Sequence, residues 1–217
     1  MTRYTRFFAV CLMLALALAC ARKPSSTADV PRLVPASYSI TVTPFTQPRN
    51  AIDLIMGRIP EAQGVADDGV LAGLDVRLRH VLQTQTKRTF AYTQQTPRKL
   101  APTRFKSAEQ PRGLGQWLAV GRKDKAQLLL VPMVLDWHQR EGSSAGVTTP
   151  AHARVEFFLL KVSDGTVMNR SVYEVEQTGL VNNLLTVGDF VKRRGQWVTA
   201  EDLAEEGMVK AVKELGL

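Results

Sequence analysis

The chain has 217 residues, 45% of them hydrophobic and 22% charged, with 28 Lys+Arg against 20 Asp+Glu and a formal net charge of +8. That balance fits one globular domain with a modest core and excludes a disordered or collagen-like chain. Its two cysteines exclude a disulfide-stapled mini-protein or a Cys-rich zinc module. The basic excess raises nucleic acid as a partner, but the amino terminus argues against it.

Arg3 and Arg6 precede an uninterrupted apolar run of 13 residues, Phe7 to Ala19. A spanning helix takes ~20 residues, so the run has the length of a signal-peptide core. It closes with Leu16-Ala17-Leu18-Ala19-Cys20. Small side chains at Ala17 and Ala19 suit a signal peptidase, and a cysteine directly after them resembles the lipobox of bacterial lipoproteins. Ala17 departs from that pattern, where Leu is commoner. The resemblance implies a signal peptide over residues 1–19, a diacylated Cys20 and an acylated new amino terminus. Acyl chains contribute ~0.8 kcal/mol per buried methylene, so such an anchor is effectively permanent. Ala21 stands where an Asp would resemble an inner-membrane retention signal, which implies an outer-membrane anchor with the domain facing the periplasm. The same residues also admit an ordinary cysteine after an A-x-A cleavage site, or an uncleaved anchor. Under the lipobox reading Cys11 leaves with the signal and Cys20 is blocked, leaving neither a free thiol nor a structural disulfide. Export also removes nucleic acid as a partner.

Residues 21–36 (ARKPSSTADVPRLVPA) are rich in Pro, Ser and Ala without periodicity. With Cys20 they read as a flexible tether, residues 20–36, ahead of a single domain over residues 37–217. Tyr38, Ile40 and Val42 alternate with Ser39, Thr41 and Thr43, predicting a first strand that Pro44 and Pro48 end. A loop-like stretch reaches Gly69, with a short apolar turn at Ile52–Met56. Leu71, Leu74, Leu78, Val81 and Leu82 recur at helical spacing opposite Arg77, Arg79 and His80. Thr89 to Tyr92 is β-rich. Leu114, Trp117, Leu118 and Gly121 mark one face of a second helix. Gln127 to Trp137 (QLLLVPMVLDW) reads as a strand in which Pro132 demands an edge position or a bulge. Arg154 to Val162 is another strand. Ser163-Asp164-Gly165-Thr166 then carries an Asp-Gly hairpin turn with two central residues tolerant of positive φ, and Val167 to Glu176 returns. Thr199 and Asp202 form a capping-box pattern. An apolar stripe through Ala200, Leu203, Ala204, Gly207, Met208, Ala211, Val212 and Leu215 predicts a last helix ended by Gly216.

The predicted order is therefore β-α-β-α-β-β-β-α, an α+β domain with helices packed on a mixed or antiparallel sheet. This order and the lipobox resemble the curli-secretion lipoprotein family, the penicillin-binding-protein activator lipoproteins and the TolB amino-terminal domain. The resemblance is one of topology over residues 37–217, and no functional motif of those families matches residue by residue.

Three regions are candidates for function. His138 and His152 flank the loop Gln139–Ala151, so an antiparallel hairpin would set them opposite each other, with Asp136 two residues back on the face of His138. Two imidazoles and a carboxylate are ligands for zinc, although no HExxH or closely spaced ligand pair accompanies them. Residues 87–125 hold Lys87, Arg88, Arg98, Lys99, Arg104, Lys106, Arg112, Arg122, Lys123 and Lys125 against Glu109 and Asp124. The rest of the mature chain is slightly acidic. In the periplasm, Arg98, Lys99, Arg104, Lys106, Arg112, Arg122, Lys123 and Lys125 would meet lipid headgroups, peptidoglycan carboxylates or acidic protein faces, and a solvated loop is the alternative. Residues 177–194 carry Leu180, Leu184, Val187 and Val191 at helical spacing, read either as cover for the sheet or as an apolar contact patch.

Gly142-Ser143-Ser144-Ala145-Gly146 lacks the strand–elbow–helix context of a serine nucleophile. Gly113-Leu114-Gly115 follows Pro111 and Arg112 rather than a strand, so it is no dinucleotide loop. No catalytic residue, cofactor or metal is assigned. The expected function is that of an outer-membrane lipoprotein acting without catalysis as an envelope adaptor, regulator or assembly subunit, with an envelope protein or anionic polymer as partner. One alternative is a secretion-pore subunit, for which the tip Arg140–Pro150 is too short and polar to span a bilayer. The other is a cell-wall or metal-dependent hydrolase using His138, His152 and Asp136.

Overall fold

In the computed structural model, which describes residues 33–97, 112–142, 147–176 and 198–217, parallel and antiparallel pairing meet in one sheet. In chain order the elements are β1 (Ile40–Val42), a single 3-10 turn (Ala51–Asp53), α1 (Asp68–Gln85), β2 (Phe90–Tyr92), α2 (Gly113–Lys123) and β3 (Leu128–His138). There follow β4 (Glu141–Gly142), β5 (Val147–Thr149), β6 (His152–Lys161), β7 (Thr166–Glu176) and α3 (Ala200–Glu214). The sheet runs β2-β1-β3-β6-β7, with β1 parallel to both β2 and β3, and β3, β6 and β7 antiparallel in turn. The sheet is thus mixed, in a single α+β domain.

Both faces of the sheet are covered over its centre. On one face, Leu74, Leu78, Val81 and Leu82 of α1 and Leu203, Ala204, Met208 and Ala211 of α3 meet Leu128, Leu130, Val134, Val155, Phe157 and Leu159. The predicted helical stripes are the buried ones because only those side chains reach the sheet. On the other face Trp117, Leu118 and Val120 of α2, with Leu54 and Ile55, meet Leu129, Val131, Met133, Leu135, Phe158 and Leu160. β3 is buried on both sides, which is why its sequence is a continuous apolar run rather than an alternation.

Of the two settings expected for Pro132, an edge position does not apply, since β3 is the central strand, while the ladder does carry a bulge shortly after it, between Val134 and Asp136. The Thr43 N–H donates to the Leu130 carbonyl at 3.0 Å and the Val134 N–H to the Thr46 carbonyl at 2.9 Å. Pro132, between Leu130 and Val134, faces that same side, where Pro44 and Phe45 interrupt the ladder. Its missing N–H is therefore opposite a local gap.

The β6–β7 hairpin is also corrected in detail. Gly165 has φ 76° but Asp164 has no positive φ. Asp164 acts through its side chain, accepting from Lys161 Nζ at 2.7 Å and from the Thr166 N–H at 3.0 Å. The Lys161 hydrogen bond, helped by Thr166, holds its carboxyl down at about 2.

The capping box at α3 is present: Thr199 accepts from the Asp202 N–H at 3.2 Å, and the Asp202 carboxylate accepts from the Thr199 N–H at 3.1 Å. Thr199→Ala removes the side-chain acceptor and should cost about 1 kcal/mol, seen as a lower urea midpoint with an unchanged slope. At the amino-terminal side, the buried Val34 donates to the Gly216 carbonyl at 2.9 Å. Arg88 donates to the Val34 and Pro35 carbonyls, each at 2.6 Å. Residues 34 and 35, grouped by composition with the tether, thus join the domain.

Candidate functional site

The site arises from one irregularity in β3. Val134 pairs with Val155, but the next pair is Asp136 with Arg154, so Leu135 is an extra residue in the ladder. Such a bulge re-aims the side chains that follow. Before it, even-numbered residues of β3 face α1 and α3, as Leu128, Leu130 and Val134 do. After it, Trp137 points into that core, while Asp136 and His138 turn to the face shared by Arg154 and His152. His138 and His152 form the last pair of the ladder, as the hairpin reading of the sequence expected.

The three side chains converge. Asp136 Oδ1 lies 3.1 Å from His138 Nε2, and Asp136 Oδ2 lies 3.2 Å from His152 Nδ1. The imidazole centroids are 5.8 Å apart with planes tilted by 30°. Asp136 is 10% exposed, His152 18% and His138 45%, so the cluster opens to solvent on the His138 side. Asp136 Oδ1 also accepts from the backbone N–H groups of Gly64 at 2.7 Å and Trp137 at 2.9 Å. His152 Nε2, on the far side of its ring, lies 3.9 Å from Glu174 Oε1.

A loop before α1 supplies the roof. Gln63 Nε2 donates to the Leu135 carbonyl at 2.8 Å and the Pro48 carbonyl at 2.9 Å. Gln47 donates to the Gly64 carbonyl at 2.7 Å and accepts from the Ala66 N–H at 2.9 Å. Gly64 is required by close approach, since a Cβ there would sit 2.0 Å from the Trp137 carbonyl oxygen and 2.8 Å from His138 Nε2. Gln47 also lines a neighbouring cleft of about 280 Å³ with Phe45, Arg49, Asp68, Gln116 and Trp117. That volume falls just below the range of about 300–1,000 Å³ for small-molecule sites.

From His152 an ionic chain continues across β6 and β7. Arg154 is 3.6 Å from Glu174 and 3.2 Å from Glu156. Glu156 is 1% exposed and also accepts from Arg170 Nη2 at 2.8 Å and Nε at 3.2 Å. Sequence reasoning missed Glu156, Glu174 and Gly64. The signal for the first was present: one Glu inside the apolar run Val155–Leu160 implies a buried cationic partner. Nothing local marked Gly64, because its role is set by a strand 72 residues further along the chain.

Of the basic candidates, Arg112 precedes α2, Arg122 and Lys123 end it, and Lys125 follows with φ 54°. Arg122, Lys123 and Lys125 are exposed, and Lys123 donates to Gln95 Oε1 at 3.1 Å. Arg98, Lys99, Arg104 and Lys106 lie outside the described residues, as do Cys20 and the apolar segment 177–194. Gly113, in the run that superficially suggested a phosphate loop, donates to the Leu54 carbonyl at 2.7 Å, and a Cβ there would lie 2.4 Å from the Asp53 carbonyl oxygen. It serves packing. Among the described residues, no helix is long and apolar enough to cross a membrane.

The class defined by this architecture is an α+β domain with a mixed five-stranded sheet. No protein-family model matches the chain, and no curated protein matches it. Solved structures similar to it include the PelC dodecamer from Paraburkholderia phytofirmans, at 14% identity over 86% of this chain and 92% of that one, with a TM-score of 0.46. The LpoB C-terminal domain from Salmonella enterica matches at 13% identity over 68% of this chain and 88% of that one, with a TM-score of 0.36. Lipoprotein GNA1162 from Neisseria meningitidis matches at 13% identity over 74% and 94%, also with a TM-score of 0.36. Likeness of this degree concerns the rough path of the chain and says nothing of activity.

Proposed function

We propose that this chain is a lipid-anchored protein of the bacterial envelope, attached through Cys20 to the outer membrane, whose periplasmic domain works without catalysis as an adaptor, regulator or assembly subunit. The observation that carries this reading is Leu16-Ala17-Leu18-Ala19-Cys20, set directly after a charged start and an apolar run too short to span. Its partner is an envelope protein or an anionic envelope polymer. Arg122, Lys123 and Lys125 at the carboxyl end of α2 support the latter, because clustered cations raise the local concentration of polyanions.

Cells fed labelled palmitate should incorporate it into the wild-type chain and not into Cys20→Ser, which should leave the membrane fraction. A wild-type chain that takes no label, or a Cys20→Ser chain that keeps it, refutes the anchor. Native cross-linking that repeatedly captures neither an envelope protein nor a polymer would count against the adaptor role.

The meeting of Asp136, His138 and His152 favours a second reading, a metal-dependent hydrolase of the cell wall. Turnover of peptidoglycan fragments that His138→Ala/His152→Ala abolishes would promote it over the first.

A further inference from the structure

The geometry points to a site for a divalent first-row transition metal held by Asp136, His138 and His152. Beyond the anchor and the adaptor role, this is a separate property of the domain. Three features carry it.

The first is the spacing of donor atoms. A tetrahedral metal with bonds of about 2.0–2.1 Å sets its ligand atoms ~3.3 Å apart. Asp136 Oδ2 stands 3.2 Å from His152 Nδ1, the other carboxylate oxygen stands 3.1 Å from His138 Nε2, and one ligand atom from each residue lies within 4.8 Å of the others. Closing the rest of that distance takes a rotation of the His138 ring, which ends β3 and is 45% exposed. Two imidazoles and one carboxylate suit zinc and its neighbours, whereas magnesium and calcium take oxygen.

The second is the outer shell. Metal-bound imidazoles characteristically direct their other nitrogen at a carboxylate or carbonyl, and metal-bound carboxylates are themselves hydrogen-bonded. His152 offers Nδ1 inward while its Nε2 lies 3.9 Å from Glu174, near enough for ionic attraction though outside hydrogen-bond distance. With metal on Nδ1, the neutral ring carries its proton on Nε2, toward that carboxylate. Asp136 Oδ1 is fixed by two backbone N–H groups, which leaves Oδ2 as the ligand oxygen.

The third is space. Gly64 lies beside His138 Nε2 at a position that a Cβ would fill. His138 is 45% exposed, so a fourth coordination position opens to water or to a donor from a partner.

The test uses the full-length chain in detergent, purified without a polyhistidine tag, stripped with chelator and dialysed against Zn²⁺. The expected result is one zinc per chain, with affinity reduced at least ~10-fold in Asp136→Asn and in His138→Gln, and about 10-fold in Glu174→Gln, an outer partner. Cobalt in place of zinc should give the intense visible absorption of a four-coordinate centre, lost in His138→Gln. Circular dichroism checks the fold, and His138→Gln is the decisive variant because that side chain is half in solvent at a strand end. Wild-type chain that retains no more zinc than His138→Ala/His152→Ala overturns the site, leaving a hydrogen-bonded cluster only. A folded His138→Gln chain with undiminished zinc overturns it equally.

Discussion

Glu156→Ala should destabilise the domain by about 3–5 kcal/mol, the range for breaking a buried ion pair from one side. Glu156 is 1% exposed, and each of its oxygens serves a different guanidinium, Oε1 that of Arg154 and Oε2 that of Arg170. Arg154 is the more buried of the two at 22%, and among the described residues its Nε has no hydrogen-bond partner. Removing the carboxylate leaves two cations facing each other over a partly dry surface, with Glu174 at 3.6 Å the remaining acid beside Arg154. Desolvation dominates here, because the penalty for an uncompensated buried charge exceeds the worth of the pair itself. Two companion variants separate these causes. Glu156→Gln should lose less, since its amide oxygen still accepts one arginine N–H. Replacing Arg154, Glu156 and Arg170 together by apolar residues should recover most of the loss. Urea midpoints at neutral pH measure all three, and a Glu156→Ala chain within ~1 kcal/mol of wild type would refute the account.

Gly64→Ala is expected to cost about 3 kcal/mol, at the upper end of overpacking effects. The contact it creates is with a backbone oxygen, the Trp137 carbonyl at 2.0 Å, and no rotamer relieves it. The loop must lift, which breaks the 2.7 Å bond from the Gly64 N–H to Asp136 and the 2.7 Å bond from Gln47 to the Gly64 carbonyl. Gly73→Ala is the control. Gly73 lies inside α1, and a Cβ there meets nothing within 4 Å. That change should stabilise by roughly 0.5–1 kcal/mol, because alanine loses less backbone freedom in a helix interior. Thermal denaturation of the two variants should therefore move in opposite directions. A Gly64→Ala chain as stable as wild type would mean that the roof of the site is not fixed by this contact.

Much of the local structure could be read from residues alone. The stripes of α1 and α3 follow from 3.6-residue periodicity, and Thr199 with Asp202 marks the start of α3 because both side chains reach the backbone N–H groups that a helix end leaves unpaired. The doubly buried β3 was legible as a strand, but Pro132 left open whether it lay at an edge or carried a bulge, and the structure places it at the centre with a bulge after Val134. The proline rule concerns a single N–H, and the gap that accommodates it belongs to β1, which ends at Val42. The hairpin opposition of His138 and His152 was legible from their spacing about one loop. Their joint orientation with Asp136 was not, because side-chain direction in a strand depends on register, and one extra residue reverses it.

The sequence by itself thus determined the lipobox-like start, the order of the helices and of the main-sheet strands, the helix faces and the residue types available for chemistry, but not the short β4–β5 pair within the stretch Gln139–Ala151 that reads as a loop. These are properties of short windows, set by local hydrogen bonding and by the period of apolar side chains. Only the tertiary structure decided that β1 lies between β2 and β3, that Leu135 is the extra residue, and that Gly64 roofs the cluster. Each of these joins segments far apart in the chain, where packing of the whole domain, rather than any local preference, selects among registers of similar intrinsic stability.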